Sequence, residues 1–144
     1  MSMILAAAAL MGASGAADTH HVQIDHRGHR VDVVYRSAID VQHRQTGAVS
    51  APGRPSALSC RWTATIAIQR EAVSPRGHVA ARTIGSDSAL SGSRPGWCAG
   101  QRDSIAAEVA ARGAAIRDHL LAVAAEDRDR VVADLDAAHD RARS

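Results

Sequence analysis

HHVQIDHRGHRVDVVY, residues 20–35, is the stretch on which the fold turns. Val22 and Ile24 alternate with His21, Gln23 and Asp25, and beyond Arg27-Gly28 the residues Val31, Val33 and Tyr35 alternate with Arg30, Asp32 and Val34. A period of two belongs to a strand with one buried face. With Arg27-Gly28 as a two-residue turn, Gly28 supplying the positive φ such turns need, His26 faces His29, Ile24 faces Val31, Val22 faces Val33 and His20 faces Tyr35. Asp25 then falls opposite Arg30 on the other face. Apolar residues meet apolar ones and a carboxylate meets a guanidinium, so the register is self-consistent.

The alternation continues through Ile39, Val41 and His43, so the second strand is long or bends near Ser37-Ala38. Residues 45–59 hold Gly47, Pro52, Gly53 and Pro55 and read as a loop. Cys60, Trp62, Ala64, Ile66 and Ile68 share one face of the next strand, with Arg61, Thr63, Thr65 and Gln69 on the other. Ser74-Pro75-Arg76-Gly77 is a turn, residues 78–84 a shorter return strand, and the Ser- and Gly-rich stretch 85–96 a mobile loop. Asp103-Ser104 then signals a helix N-cap. Ile105, Val109, Ile116, Leu120 and Val123 recur at helical spacing, and the pattern resumes at Val131, Leu135 and Ala138.

An unbroken helix over 104–141 would be roughly 57 Å long and would place Asp127 in its own apolar stripe. The spacing therefore predicts a break near Glu126-Asp127-Arg128-Asp129, with a long projecting helix that pairs two copies of the chain as the alternative. Asp127, Asp129, Asp134 and Asp136, interleaved with Arg128 and Arg130, read as a solvated helix face. The fold class is α+β: a small antiparallel sheet of three to five strands, opened by the N-terminal hairpin, with a C-terminal helical segment packed on one face.

A chain of 144 residues with 46% hydrophobic and 22% charged residues is one globular domain. Phe is absent and Tyr35, Trp62 and Trp97 are the only aromatics, so the core must be aliphatic and thinly stabilised. Every basic residue is Arg, which excludes Schiff-base and other lysine chemistry. The arginines are spread along the chain and few aromatics exist to stack bases, which argues against a nucleic-acid partner.

Residues 1–17 lack charged side chains and close on Gly15-Ala16-Ala17, the apolar region and small-residue cleavage site of a secretory signal peptide. Cleavage after Ala17 leaves an exported domain over 18–144, periplasmic or secreted, without a stable membrane span. The alternative is an uncleaved N-terminal membrane anchor at the lower limit of spanning length. In an exported chain, Cys60 and Cys98, the only cysteines, predict one disulfide tying helix entry to the sheet.

Four of the eight histidines lie between His20 and His29. A mature chain starting Asp18-Thr19-His20 would offer an amine, two amides and an imidazole in a square plane, a geometry that suits Cu(II) or Ni(II). The motif resembles the amino-terminal copper and nickel site of several exported proteins. His26 and His29 face each other across the turn and could share a metal; solvated turn histidines are the plainer reading. No other cofactor is expected. There is no GxSxG, HExxH, phosphate-cradling glycine loop or EF-hand ladder. Arg30, Arg36, Arg61, Thr63 and Gln69 lie on the outer face of the sheet, a polar surface able to bind an anionic glycan or a partner protein. The sequence thus favours a non-catalytic binding or envelope component. Alternatives are metal chelation by the N-terminus and an enzyme whose site is assembled in space, which requires a concave pocket with converging polar groups.

Overall fold

The computed structural model describes residues 18–77 and 79–144 of the chain. The proposed signal peptide and His78 lie outside the described residues. Four strands, β1 (Thr19–His26), β2 (His29–Thr46), β3 (Ser59–Val73) and β4 (Val79–Pro95), form an antiparallel sheet in the order β1-β2-β3-β4. A 3-10 turn, Cys98–Gly100, leads into helix α1 (Arg102–Ala111) and then α2 (Gly113–Arg143). Both helices cover one face of the sheet, so the fold is a two-layer α+β sandwich. Among the described residues no helix is long and apolar enough to cross a membrane.

The hairpin register read from the sequence is the register observed, from His20↔Tyr35 to His26↔His29. Arg27 (φ 53°) and Gly28 (φ 79°) both take positive φ, as a type I′ turn requires. The strand that could have bent near Ser37-Ala38 runs unbroken through 18 residues.

Three expectations are corrected. The stretch 85–96 is not a loop: β4 continues to Pro95 and pairs with β3, with Leu90 opposite Ala64 and Gly92 opposite Trp62. Its glycines answer to geometry. A Cβ at Gly92 would lie 2.8 Å from the Trp62 indole, and Gly85 (φ 62°) sits where the register shifts between Ile66 and Ile68. The helix, in turn, does not break at 126–129. It breaks at Arg112-Gly113, and α2 runs through Asp127 without interruption. Glycine is a poor helix former, and the Arg112 guanidinium lies 5.6 Å from the Trp62 ring centroid, a cation–π contact that holds the bend to the sheet. Nor is Asp103-Ser104 a cap; Gln101 occupies the N-cap without a side-chain bond and Asp103 lies in the first turn.

The break divides the core. Ile105 and Val109 of α1 cover Cys60, Trp62 and Ala64. Ile116, Leu120, Ala124, Val131 and Leu135 of α2 cover Ile24, Val31, Val33, Tyr35, Ile66, Ile68, Ala72 and Ile84. The apolar stripe of α2 is thus spent on the sheet, and pairing of two copies through this helix would have to use its polar face.

Candidate functional site

Both tight turns, at Arg27-Gly28 and Ser74–Gly77, lie at the same end of the meander, and the last turns of α2 pass over them. Between them is a cleft of about 230 Å³. His26, Arg27, His29 and Val31 line it from the hairpin; Ser74, Pro75 and Arg76 from the second turn; Leu135, Ala138, His139, Ala142 and Arg143 from α2. Val31 and Leu135 belong to the core, so the floor is apolar and the rim is basic.

One wall is fixed by an ion cluster. His26 donates from Nε2 to Asp136 Oδ1 at 2.8 Å; a carboxylate can only accept, so this nitrogen carries the proton. Arg27 donates to the same oxygen from Nε at 3.0 Å, and its guanidinium lies 4.0 Å from Asp140. The hydrogen bonds from His26 and then Arg27 hold the Asp136 carboxyl below its ordinary range. The Nε2 of His26 is thereby engaged by Asp136, while His26 and His29 are cross-strand partners that both line the cleft. The side chains of His29, His139, Arg76 and Arg143 have no hydrogen-bond or ion-pair partner among the described residues.

A second cluster holds the middle of α2 to the sheet. Arg70 and Asp127, 1% and 3% exposed, are joined at 2.9 Å from Nη1 to Oδ2, and Tyr35 donates its hydroxyl to the same oxygen at 3.1 Å. Arg70 also donates from Nη2 to Asp134, whose oxygens lie 3.3 and 3.4 Å from Arg82 Nη1. Burial, and then the charge and hydrogen bond of Asp127, raise the pKa of the Tyr35 hydroxyl against the opposing pull of Arg70. Partial burial pushes Asp134 upward, but Arg70 and Arg82 outweigh it and hold the carboxyl below its ordinary range. The acidic run is therefore not a solvated face: Asp127, Asp134 and Asp136 all reach the sheet.

Cys60 and Cys98 form a disulfide with a Cα–Cα distance of 4.9 Å, and Cys60 is fully buried. Asp18 precedes β1, its amide donating to Ser37 Oγ at 3.0 Å and its carboxylate accepting from Arg117 at 2.8 Å. Thr19 pairs with Arg36, and His20 stacks on Tyr35 at 6.3 Å between centroids. Chelation through Asp18, Thr19 and His20 would require these residues to leave the strand edge. Among the described residues no group of three or more His, Cys, Asp or Glu is placed to hold a metal ion. Arg30, Arg36, Arg61, Thr63 and Gln69 are exposed on one face. Arg36 is opposite Gln69, whereas Arg61 is opposite Arg44 far along the same strands, so the five do not converge.

Sequence reasoning missed Arg76, Asp136, His139 and Arg143 as parts of one site, because only the tertiary fold brings the two turns under α2. The signal available was the spacing Asp136, His139 and Arg143, which repeats on one helical face. Neither a family model, nor a curated protein, nor a solved structure matches this chain.

Proposed function

We propose that this protein is exported and works by binding, in an oxidising periplasmic or extracellular compartment. The Cys60–Cys98 disulfide carries the reading, because such bonds persist where thiols are not kept reduced. It joins β3 to the entry of α1 across a sequence separation of 38, the place where a thin aliphatic core gains most from a staple. The cleft supports the binding half of the proposal. It is concave, three elements converge on it, and it joins an apolar floor to a polar rim, the usual make-up of a ligand site.

The test is the intact mass of the protein recovered from envelope and culture medium, before and after reduction. A chain beginning at Asp18 that gains about two hydrogens on reduction is the expected result. A full-length chain with free thiols, confined to the cytosol, would overturn the proposal.

A further inference from the structure

Every lining group of the cleft whose charge or donors are unmet is basic. Arg27 is neutralised by Asp136 and Asp140, and His26 is bonded to Asp136. That leaves Arg76, Arg143, His29 and His139 facing the opening, with no carboxylate among the lining residues. The negative end of the α2 dipole lies nearby, and Arg141 in the last turn offsets it. Below the basic rim the wall is aliphatic, from Val31 and Leu135 to Ala138 and Ala142. A volume of about 230 Å³ falls just below the range of pockets for drug-sized ligands, so the ligand it suits is small.

We infer that the cleft binds a small organic anion, a carboxylate or phosphate monoester on a short aliphatic body, with the oxyanion at Arg76 and Arg143 and the body on Leu135 and Ala138. This deepens the binding half of the proposed function and is independent of where the protein resides. Guanidinium is the side chain best suited to an oxyanion, through paired donors. The aliphatic wall adds affinity in proportion to the apolar area it removes from water.

The experiment is an NMR titration of the oxidised domain with hexanoate and hexyl phosphate, and with hexanol, acetate and inorganic phosphate as part-ligands. The expected result is a Kd below about 1 mM for at least one of the two amphiphiles, with shifts at His29 and His139. The tighter of the two identifies the head group. Arg76→Glu/Arg143→Glu reverses two exposed charges and should weaken binding by about tenfold or more. Ala142→Trp, also at an exposed position, should fill the cleft and abolish it, while Arg44→Glu on the outer sheet face, at the far end of β2, should change nothing. Thermal melts of the variants control for folding. Equal binding of hexanol and hexanoate, shifts confined to the outer face, indifference to Ala142→Trp, or no binding of either amphiphile would each overturn the inference. The mass measurement of export would stand unaffected by any of them.

Discussion

Tyr35 is the only tyrosine, the chain has no lysine, and both cysteines are bonded. In the unfolded chain this phenol is therefore the one side chain that titrates between about pH 9 and 12. Its folded pKa is raised above the ordinary 10.0 by burial and by Asp127. The stability this contributes is fully present below pH 10 and is lost as pH rises toward the folded value. Stability should fall by about 1.4 kcal/mol per pH unit in that interval, and Tyr35→Phe should flatten the slope. Urea unfolding at closely spaced alkaline pH, with phenolate absorbance followed in parallel, checks both. The partner Arg70 invites a second test. Asp127→Leu leaves the buried Arg70 guanidinium with Asp134 as its one carboxylate and the Tyr35 hydroxyl without its acceptor, and should cost about 2–3 kcal/mol. The triple variant Tyr35→Phe/Arg70→Met/Asp127→Leu leaves no buried orphan among the three and should recover most of that loss, with Asp134 retaining Arg82. A triple variant no more stable than Asp127→Leu would show that the network fixes geometry that apolar packing cannot replace.

At the scale of elements, the features legible in the sequence were those set by neighbours a few residues apart. The β1–β2 register, the Cys60-to-Ile68 face and the Ser74–Gly77 turn follow from period and turn chemistry. What escaped depended on distant partners. Asp127 in an apolar stripe implied a break because its counter-charge, Arg70, lies 57 residues away on a strand face otherwise apolar. Residues 85–96 lacked alternation because β4 is an edge strand shaped to fit the Trp62 ring. Gly92→Ala should accordingly cost about 1–3 kcal/mol by overpacking, measured as a shift in urea midpoint at constant m-value. The ties between α2 and the sheet have a pH signature of their own. Asp134 has a lowered folded pKa, so its stability is present above the unfolded value near 3.8 and is lost as pH falls through the folded one. Asp134→Asn should be less stable than wild type at neutral pH and should converge with it in acid, as the carboxyl protonates in the folded state too. Parallel curves across that range would show that the Arg70–Asp134–Arg82 cluster adds nothing to stability.

Over the whole molecule, length accounts for both the corrected helix and the divided core. The 18 residues of β2 extend about 60 Å at ~3.3 Å each, and the 31 residues of α2 about 46 Å at 1.5 Å each. A continuous helix is thus not too long for this domain, because the sheet beneath it is longer still. The remainder, around Trp62, falls to α1 and to a small cluster of Cys60, Trp62, Ala64, Ile105 and Val109. Few apolar groups hold that end, and the disulfide passes through it. Chain-entropy reasoning for a separation of 38 gives about 4 kcal/mol for the bond. The Cys60→Ala/Cys98→Ala variant should lose about that much in global unfolding. The loss should not be uniform, since α2 keeps its core contacts and its ion clusters while α1 keeps only Ile105 and Val109. Hydrogen exchange should therefore show α1 and the Trp62 segment of β3 opening sub-globally in the variant, with the centre of α2 and the hairpin still exchanging only on complete unfolding. The cleft lies at the opposite end, so ligand affinity should survive loss of the bond. Uniform deprotection across both halves would instead make the molecule a single cooperative unit, in which the staple supports the cleft as much as the helix it joins.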